Sequence, residues 1–209
     1  MFDLAVYAAI IVTVFALVDP IGTLPFFVAL TDGFEPKDRR VVLDRAVLTM
    51  AGILTVFALV GRYLFLAFGF SLAAFEVAGG IILFLVAYDM LRGEVTRTKL
   101  TPGSDDSGRR YEVGIVPLGI PLLAGPGAIS TVMIYEGNSG SNPYIIVATF
   151  VAIGLVTVLT YLIFRYGQRI LLSLGRVGVM AMTRVLGLLL AAVGVQFVAI
   201  GLIGLFPNL

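Results

Sequence analysis

Long apolar runs separated by short polar segments dominate the chain. Residues 4–31 contain one charged residue, Asp19, and residues 46–88 contain only Arg62 and Glu76. The remaining apolar runs cover residues 113–135, 137–164 and 185–209. A helix that crosses a hydrocarbon core needs about 20 mostly apolar residues. The pattern therefore predicts an all-α membrane protein with six transmembrane helices, at residues 4–30, 46–68, 72–91, 113–135, 143–164 and 184–206.

The composition favours the same class and argues against several others. Hydrophobic residues make up 59% of the 209 residues, charged residues 13%, and the mean hydropathy is +1.06, whereas soluble domains are about a quarter charged. The chain has no Cys, His or Trp, which removes disulfides, zinc sites built on His or Cys, and nucleophile–His catalysis. Tyr88-Asp89 matches one of the two motifs of aspartyl intramembrane proteases and nothing matches the other. We expect no enzymatic activity, no cofactor and no nucleic-acid partner.

Basic residues predict the orientation in the membrane. Thirteen of the 14 Lys and Arg residues lie in the polar segments after the first, third and fifth predicted spans, and only Arg62 lies on the opposite side. Short cytoplasmic loops carry an excess of Lys and Arg. We therefore expect a multi-pass protein of the cell (inner) membrane with both termini outside the cytoplasm. Near the membrane faces, we expect Arg62 to pair with Glu76. Asp89 and Arg184 could pair in the same way, or Arg184 could instead anchor the sixth span at the lipid headgroups.

The two halves of the chain correspond in position. Pro20 and Pro126 are 106 residues apart, and Gly69 and Gly175 keep that offset. We predict a first three-helix repeat at residues 1–91, a cytoplasmic linker at residues 92–112 and a second repeat at residues 113–209. Because three spans reverse the direction of the second copy, this would be an inverted repeat. The alternative is that glycine-rich apolar segments align by chance.

Proline and glycine interrupt the first and fourth predicted spans. Asp19-Pro20-Ile-Gly-Thr-Leu-Pro25 lies within the first span, and Pro117, Pro121 and Gly125-Pro-Gly127 lie within the fourth. Both breaks fall near the middle of a hydrocarbon core about 30 Å thick, where irregular backbone is tolerated only when it is buried in protein or lines a cavity. Helices one and four are therefore predicted to be discontinuous around a binding site, although simple proline kinks would explain either break alone.

Such breaks offer groups for a zwitterion. Unpaired amides near Gly22-Thr23 and Gly127-Ala128, at the positive ends of the second half-helices, suit a carboxylate. Carbonyls near Leu17-Val18 and Leu123-Ala124 suit an ammonium or a cation, and the small residues favour a small neutral amino acid. Two roles are open for Asp19: it faces an ammonium, binds Na⁺ or takes up a proton, or it caps the half-helix that begins at Pro20. The predicted substrate-binding residues are Asp19, Gly22, Thr23, Gly125, Gly127, Ala128, Ser130 and Thr131.

The two motifs resemble those of a known family. With Asp-Pro-Ile-Gly-Thr-Leu-Pro-Phe-Phe at residues 19–27 and Pro-Leu-Leu-Ala-Gly-Pro-Gly-Ala-Ile-Ser-Thr at residues 121–131, the chain resembles the MarC family of membrane proteins over essentially its whole length. The resemblance implies six helices and transport of glycine, alanine and similar amino acids. Family members usually carry Asn at the position of Asp19, so the coupling ion and the preferred substrate charge are in question.

These observations together predict a secondary transporter of small neutral amino acids that works by alternating access around the two breaks. The alternatives are an ion or small-solute channel and a MarC-like protein with a different cargo. The sequence does not determine whether H⁺ or Na⁺ serves as a coupling ion, whether the protein forms a homo-oligomer, or in which direction it transports.

Overall fold

The computed structural model describes residues 4–92, 112–137, 143–172 and 175–206, and this part of the chain is helical with no strand. Eight helices follow one another: α1 Leu4–Val18, α2 Pro20–Leu30, α3 Pro36–Phe68, α4 Leu72–Arg92, α5 Gly114–Leu123, α6 Pro126–Gly137, α7 Pro143–Leu172 and α8 Gly175–Leu205. The all-α fold is thus confirmed. Most of the predicted linker lies outside the described residues.

Local sequence signals set the ends of several helices. Pro36 is the first residue of α3, where its missing amide removes no helical hydrogen bond, and Gly69 ends that helix with φ at 67°, a conformation that glycine adopts without steric cost. The Ser71 hydroxyl accepts a hydrogen bond from the Ala74 amide at 3.2 Å and caps the start of α4. Residues 69–71 therefore form a tight turn between α3 and α4.

Three helices extend further at the basic end than the hydropathy pattern predicted. The second span was expected to begin at residue 46, but α3 begins at Pro36; the fifth was expected to end at residue 164, but α7 continues to Leu172. Likewise, α8 begins at Gly175 rather than at residue 184. Hydropathy marks where a helix leaves the hydrocarbon, not where its hydrogen bonds end. Ten extra residues of α3 project about 15 Å beyond that limit at about 1.5 Å per residue.

The number of membrane crossings follows from the packing of α4 on α8. Five helices or near-continuous helix pairs are individually long and apolar enough to cross, and α5 and α6 form a sixth unit bent by 61°. Gly80 of α4 lies against Gly194 of α8, while Ala73 lies against Gly201. The two helices therefore run antiparallel. If the α5–α6 unit turned back within the membrane, α4 and α8 would run parallel, so α5–α6 crosses once and the total is six.

The α4–α8 contact depends on small residues. A Cβ atom on Gly80 would lie 2.5 Å from the Gly194 carbonyl oxygen, and one on Gly194 would lie 2.7 Å from the Gly80 carbonyl oxygen. Neither carbonyl can yield without moving its helix. Glycine at both positions lets the two backbones touch, as is common between transmembrane helices.

The remaining helices form the main core. Ile10, Val14, Met50, Leu118 and Ile129 are among its buried members, and Phe27 packs on Phe164 with ring centroids 5.0 Å apart, both side chains fully buried. Helix α3 packs on α5 and α6, and α7 packs on α1 and α2 in the corresponding way; α4 contacts α6, and α8 contacts α2.

Large apolar side chains cover the outside of the bundle. Leu66 and Ile203 are each 70% exposed, and many other large hydrophobic side chains in the described part of the chain are exposed as well. A water-soluble monomer does not present so much contiguous apolar surface. This surface is the one that faces lipid.

Candidate functional site

A cavity of about 430 Å³ lies where the two interrupted spans meet, and we call it the central cavity. Residues from both interruptions line it: Asp19, Gly22 and Thr23 from the first, and Pro121, Gly125 and Gly127 from the second. The two proline–glycine motifs, about 100 residues apart in sequence, are therefore brought together in space.

The first interruption is confined to one residue. Asp19 has φ 43° and ψ 62°, the left-handed conformation that Asp and Asn tolerate better than other residues with a side chain. The Asp19 amide still donates to the Phe15 carbonyl at 3.0 Å, and the Thr23 amide donates to the Asp19 carbonyl at 3.0 Å. Because this pattern continues across the residue, α1 and α2 together form one near-continuous span, Ala5–Leu30.

The Asp19 carboxylate caps α2. Its Oδ1 accepts a hydrogen bond from the Gly22 amide at 3.0 Å, and a Cβ atom on Gly22 would overlap the Asp19 carboxylate. The sequence predicted unpaired amides near Gly22-Thr23. That prediction is wrong, because both amides donate hydrogen bonds to Asp19. Capping was one of the two roles considered for Asp19. The capping contact uses Oδ1 and leaves Oδ2 with acceptor capacity, and Asp19 is one of the residues that line the central cavity.

The second interruption disrupts its helix more than the first does. Val116 and Ile120 have extended backbone within α5, with φ/ψ of −129°/123° and −136°/127°. The Ala124 amide donates to the Gly119 carbonyl at 2.9 Å, the chain bends by 61°, and Pro126 then starts α6. The first amides of a helix have no intrahelical acceptor. The Gly127 amide therefore stands at the positive end of α6 beside the cavity.

Gly127 is placed where a ligand can approach the backbone. A Cβ atom there would lie 3.5 Å from Leu17 Cδ2 and 3.9 Å from Phe197 Cζ, which are ordinary contact distances. A methyl group would therefore fit at Gly127, but a longer side chain would extend into the central cavity. Gly125 differs, since a Cβ atom there would lie 2.9 Å from the Pro121 carbonyl oxygen.

Five of the eight predicted binding residues line the central cavity and three do not. The lining residues are Asp19, Gly22, Thr23, Gly125 and Gly127. Ala128 is fully buried in the main core, the Ser130 hydroxyl donates to the Gly127 carbonyl at 2.9 Å, and Thr131 is also absent from the lining. Ala128 points into the main core instead, whereas Ser130 and Thr131, three and four residues after Gly127, lie on the same side of α6 but one helical turn further along, beyond the cavity lining.

Sequence reasoning missed one wall of the cavity. Helix α8 contributes an apolar face, and α4 adds Leu83; the α8 residues are Leu186, Leu189, Leu190, Val193 and Phe197. Their three- and four-residue spacing marks one helix face. That signal was visible in the sequence, but the same spacing is equally typical of a face that packs against protein or lipid.

The expected ion pairs near the membrane faces do not form within the described residues. Arg62 is not paired with Glu76, and Asp89 is not paired with Arg184. Arg62, Asp89 and Arg184 are exposed, and exposed charges gain little from pairing. No group of three or more acidic side chains suited to a metal ion occurs in the described part of the chain.

Comparison with known proteins gives one consistent result. Residues 4–206 match the model of a family described as "MarC family integral membrane protein". A UPF0056 membrane protein of Pyrococcus abyssi is 37% identical over 203 residues, covering 97% of both chains. The UPF0056 membrane proteins YvbG of Bacillus subtilis and YhcE of Escherichia coli are each 34% identical, covering all of this chain and 99% and 97% of theirs. No solved structure matches the chain.

Proposed function

Because the chain belongs to the MarC family of integral membrane proteins, we propose that it is a secondary transporter of small neutral amino acids such as glycine and alanine. The observation that carries the proposal is the central cavity, which has a carboxylate on one side and the start of a helix on the other. Binding sites of secondary transporters lie at such interruptions near the middle of the membrane.

The two sides suit the two charges of an amino acid. The Asp19 carboxylate would accept hydrogen bonds from the substrate ammonium through Oδ2, since Oδ1 is already occupied by the Gly22 amide. The Gly127 amide and the positive end of α6 would bind the substrate carboxylate. This assignment differs from the symmetrical one that the sequence suggested, because the amides at the first interruption are used by the cap.

The walls favour a small substrate with an apolar side chain. Leu83, Leu190 and Phe197 line the cavity and offer no hydrogen-bonding group from their side chains. A water occupies about 30 Å³ of the liquid, so a cavity of about 430 Å³ holds a small amino acid with several waters. Charged or long polar side chains would be desolvated there without partners.

Alternating access would move one three-helix half against the other. Two observations support an inverted repeat. Helix α3 packs on α5 and α6 as α7 packs on α1 and α2, and α4 packs antiparallel to α8. The two interruptions would then lie at the interface between the halves. In this proposal the protein is in the cell (inner) membrane with its basic helix ends in the cytoplasm.

Counterflow in liposomes tests the proposal. Protein reconstituted into vesicles loaded with unlabelled alanine should accumulate labelled alanine transiently, and the initial rate should saturate with external alanine. A channel would instead conduct without saturation and without counterflow. Absence of saturable exchange for every small neutral amino acid would reject the transporter, and currents in planar bilayers would favour a channel.

A further inference from the structure

A second pocket lies away from the central cavity, between the start of α3 and the last turns of α7. Its volume is about 310 Å³, and its lining includes four arginines, Arg39, Arg40, Arg165 and Arg169. We call it the arginine pocket. The other lining residues are Pro36, Leu43 and Gln168, so no acidic side chain contributes to its surface.

Neutral groups hold three of the four guanidiniums. Arg39 Nε donates to the Thr31 carbonyl at 3.2 Å, and Arg165 Nη1 lies 3.5 Å from the Tyr161 hydroxyl. The Arg169 guanidinium lies over the Tyr166 ring, 6.0 Å from its centroid. These contacts orient the side chains without neutralising their charge. Within the described ranges, none of the four pairs with a carboxylate.

Four positive charges around one small space repel one another, and a bound anion would reduce that repulsion. The planar guanidinium matches the oxygens of a phosphate in a bidentate manner, which an ammonium cannot do. Arg39 and Arg165 are partly buried, where screening by water and salt is weaker than at an open surface. Four guanidiniums around one space therefore suit an anionic group with several acceptor oxygens, such as a phosphate.

The pocket also lies at the depth of lipid headgroups. Leu43, at its inner side, is buried in the main core, whereas Arg40 and Arg169 at its outer side are exposed. Arg165 is 22 residues after Pro143, or about 33 Å along α7 at about 1.5 Å per residue, close to the thickness of a hydrocarbon core of about 30 Å. Basic pockets between transmembrane helices at this level bind phospholipid headgroups.

We infer that the arginine pocket is a binding site for a phosphate group, carried either by the headgroup of an anionic phospholipid or by free phosphate. Arg39 and Arg40 belong to α3, and Arg165 and Arg169 belong to α7. A phosphate group in the pocket therefore links the start of α3 to the end of α7. Occupancy therefore stabilises the contact between these two helices.

Binding to the purified, delipidated protein tests this site. Phosphatidylglycerol, phosphatidylcholine and inorganic phosphate are titrated separately, with native mass spectrometry to count lipid adducts and far-ultraviolet circular dichroism to follow thermal unfolding. Circular dichroism is suitable because the chain has neither Trp nor Cys for fluorescence or thiol-dye assays. Phosphatidylglycerol should bind and raise the unfolding temperature, and phosphatidylcholine should do so much less. A rise with inorganic phosphate alone would identify free phosphate as the source.

Two variants and a control connect binding to the pocket. The double variant Arg40→Gln/Arg169→Gln removes exposed guanidiniums and should weaken binding at least about tenfold while the fold is kept, because hydrogen bonds to charged groups are the strong ones. Arg39→Gln/Arg165→Gln should weaken binding further. Arg184→Gln removes an exposed charge from the same end of the protein, outside the pocket, and should change affinity by less than about twofold.

Two results would overturn the inference. The first is equal phosphatidylglycerol affinity in the wild type and in Arg40→Gln/Arg169→Gln. The second is an unfolding temperature that responds to neither phosphatidylglycerol nor inorganic phosphate in the wild type.

Discussion

Asp19 has two separable roles in this account, and two substitutions distinguish them. Its Oδ1 atom caps α2 through the Gly22 amide, and its charge attracts the substrate ammonium. Asp19→Asn keeps an oxygen acceptor and a side chain that tolerates the left-handed backbone, but it removes the charge. Asp19→Ala removes the acceptor, the charge and that tolerance together.

The structure sets the size of each effect. Loss of an N-cap acceptor costs about 1 kcal/mol, and holding alanine in the left-handed conformation costs about 1 kcal/mol more, so Asp19→Ala should destabilise the protein by about 2 kcal/mol. At about 2–4 °C per kcal/mol for a chain of this size, the unfolding temperature should fall by about 4–8 °C. Asp19→Asn should change stability by less than about 0.5 kcal/mol, since both residues cap well.

Asp19→Asn should lower substrate affinity although it leaves stability almost unchanged. Replacing a charge-assisted hydrogen bond by a neutral one removes about 1–1.5 kcal/mol, so Asp19→Asn should bind alanine roughly tenfold more weakly with its fold intact. Thermal unfolding followed by circular dichroism and alanine binding measured by equilibrium dialysis report the two quantities independently. An unfolding temperature unchanged in Asp19→Ala would refute the cap, and an unchanged affinity in Asp19→Asn would refute the ammonium contact.

Two further predictions concern packing and orientation. Gly80→Ala places a Cβ atom 2.5 Å from the Gly194 carbonyl oxygen, so it should destabilise the protein by about 1–3 kcal/mol. The control is Gly52→Ala, whose Cβ atom has nothing within 4 Å and which should not lower the unfolding temperature. Because the chain has no cysteine, single cysteines report topology directly. An impermeant maleimide added to intact cells should label Phe68→Cys and should label Lys37→Cys only after permeabilisation; the reverse pattern would invert the proposed orientation.

The sequence located the spans and both interruptions because these depend on local properties. Apolar runs of sufficient length predict helices that cross the membrane, and a proline removes one amide wherever the rest of the chain lies. The motifs at Pro20 and Pro126 were therefore visible without a structure. Five of the eight residues selected from them line the central cavity.

What the sequence could not supply depends on conformation and tertiary packing. The near-continuous first span and the strongly bent fourth contain similar motifs. Only Asp19 leaves the helical conformation in the first, whereas in the second Val116 and Ile120 are extended within α5 and Ala124, with φ/ψ of −92°/64°, lies at the bend between α5 and α6. The cap on Gly22 requires the left-handed Asp19, which no residue spacing reveals. The α8 wall and the arginine pocket join helices that are distant in sequence.

The most direct test of the account is alanine binding to Gly127→Leu, with Gly154→Leu as its matched control. A leucine at residue 127 would extend from the start of α6 into the central cavity, past Leu17 and Phe197, whereas Gly154 has nothing within 4 Å and lies exposed on α7. Equilibrium dialysis with labelled alanine should show binding lost in Gly127→Leu and retained in Gly154→Leu, with both proteins folded by circular dichroism. Wild-type affinity in a folded Gly127→Leu protein would contradict a substrate site between the two interrupted spans.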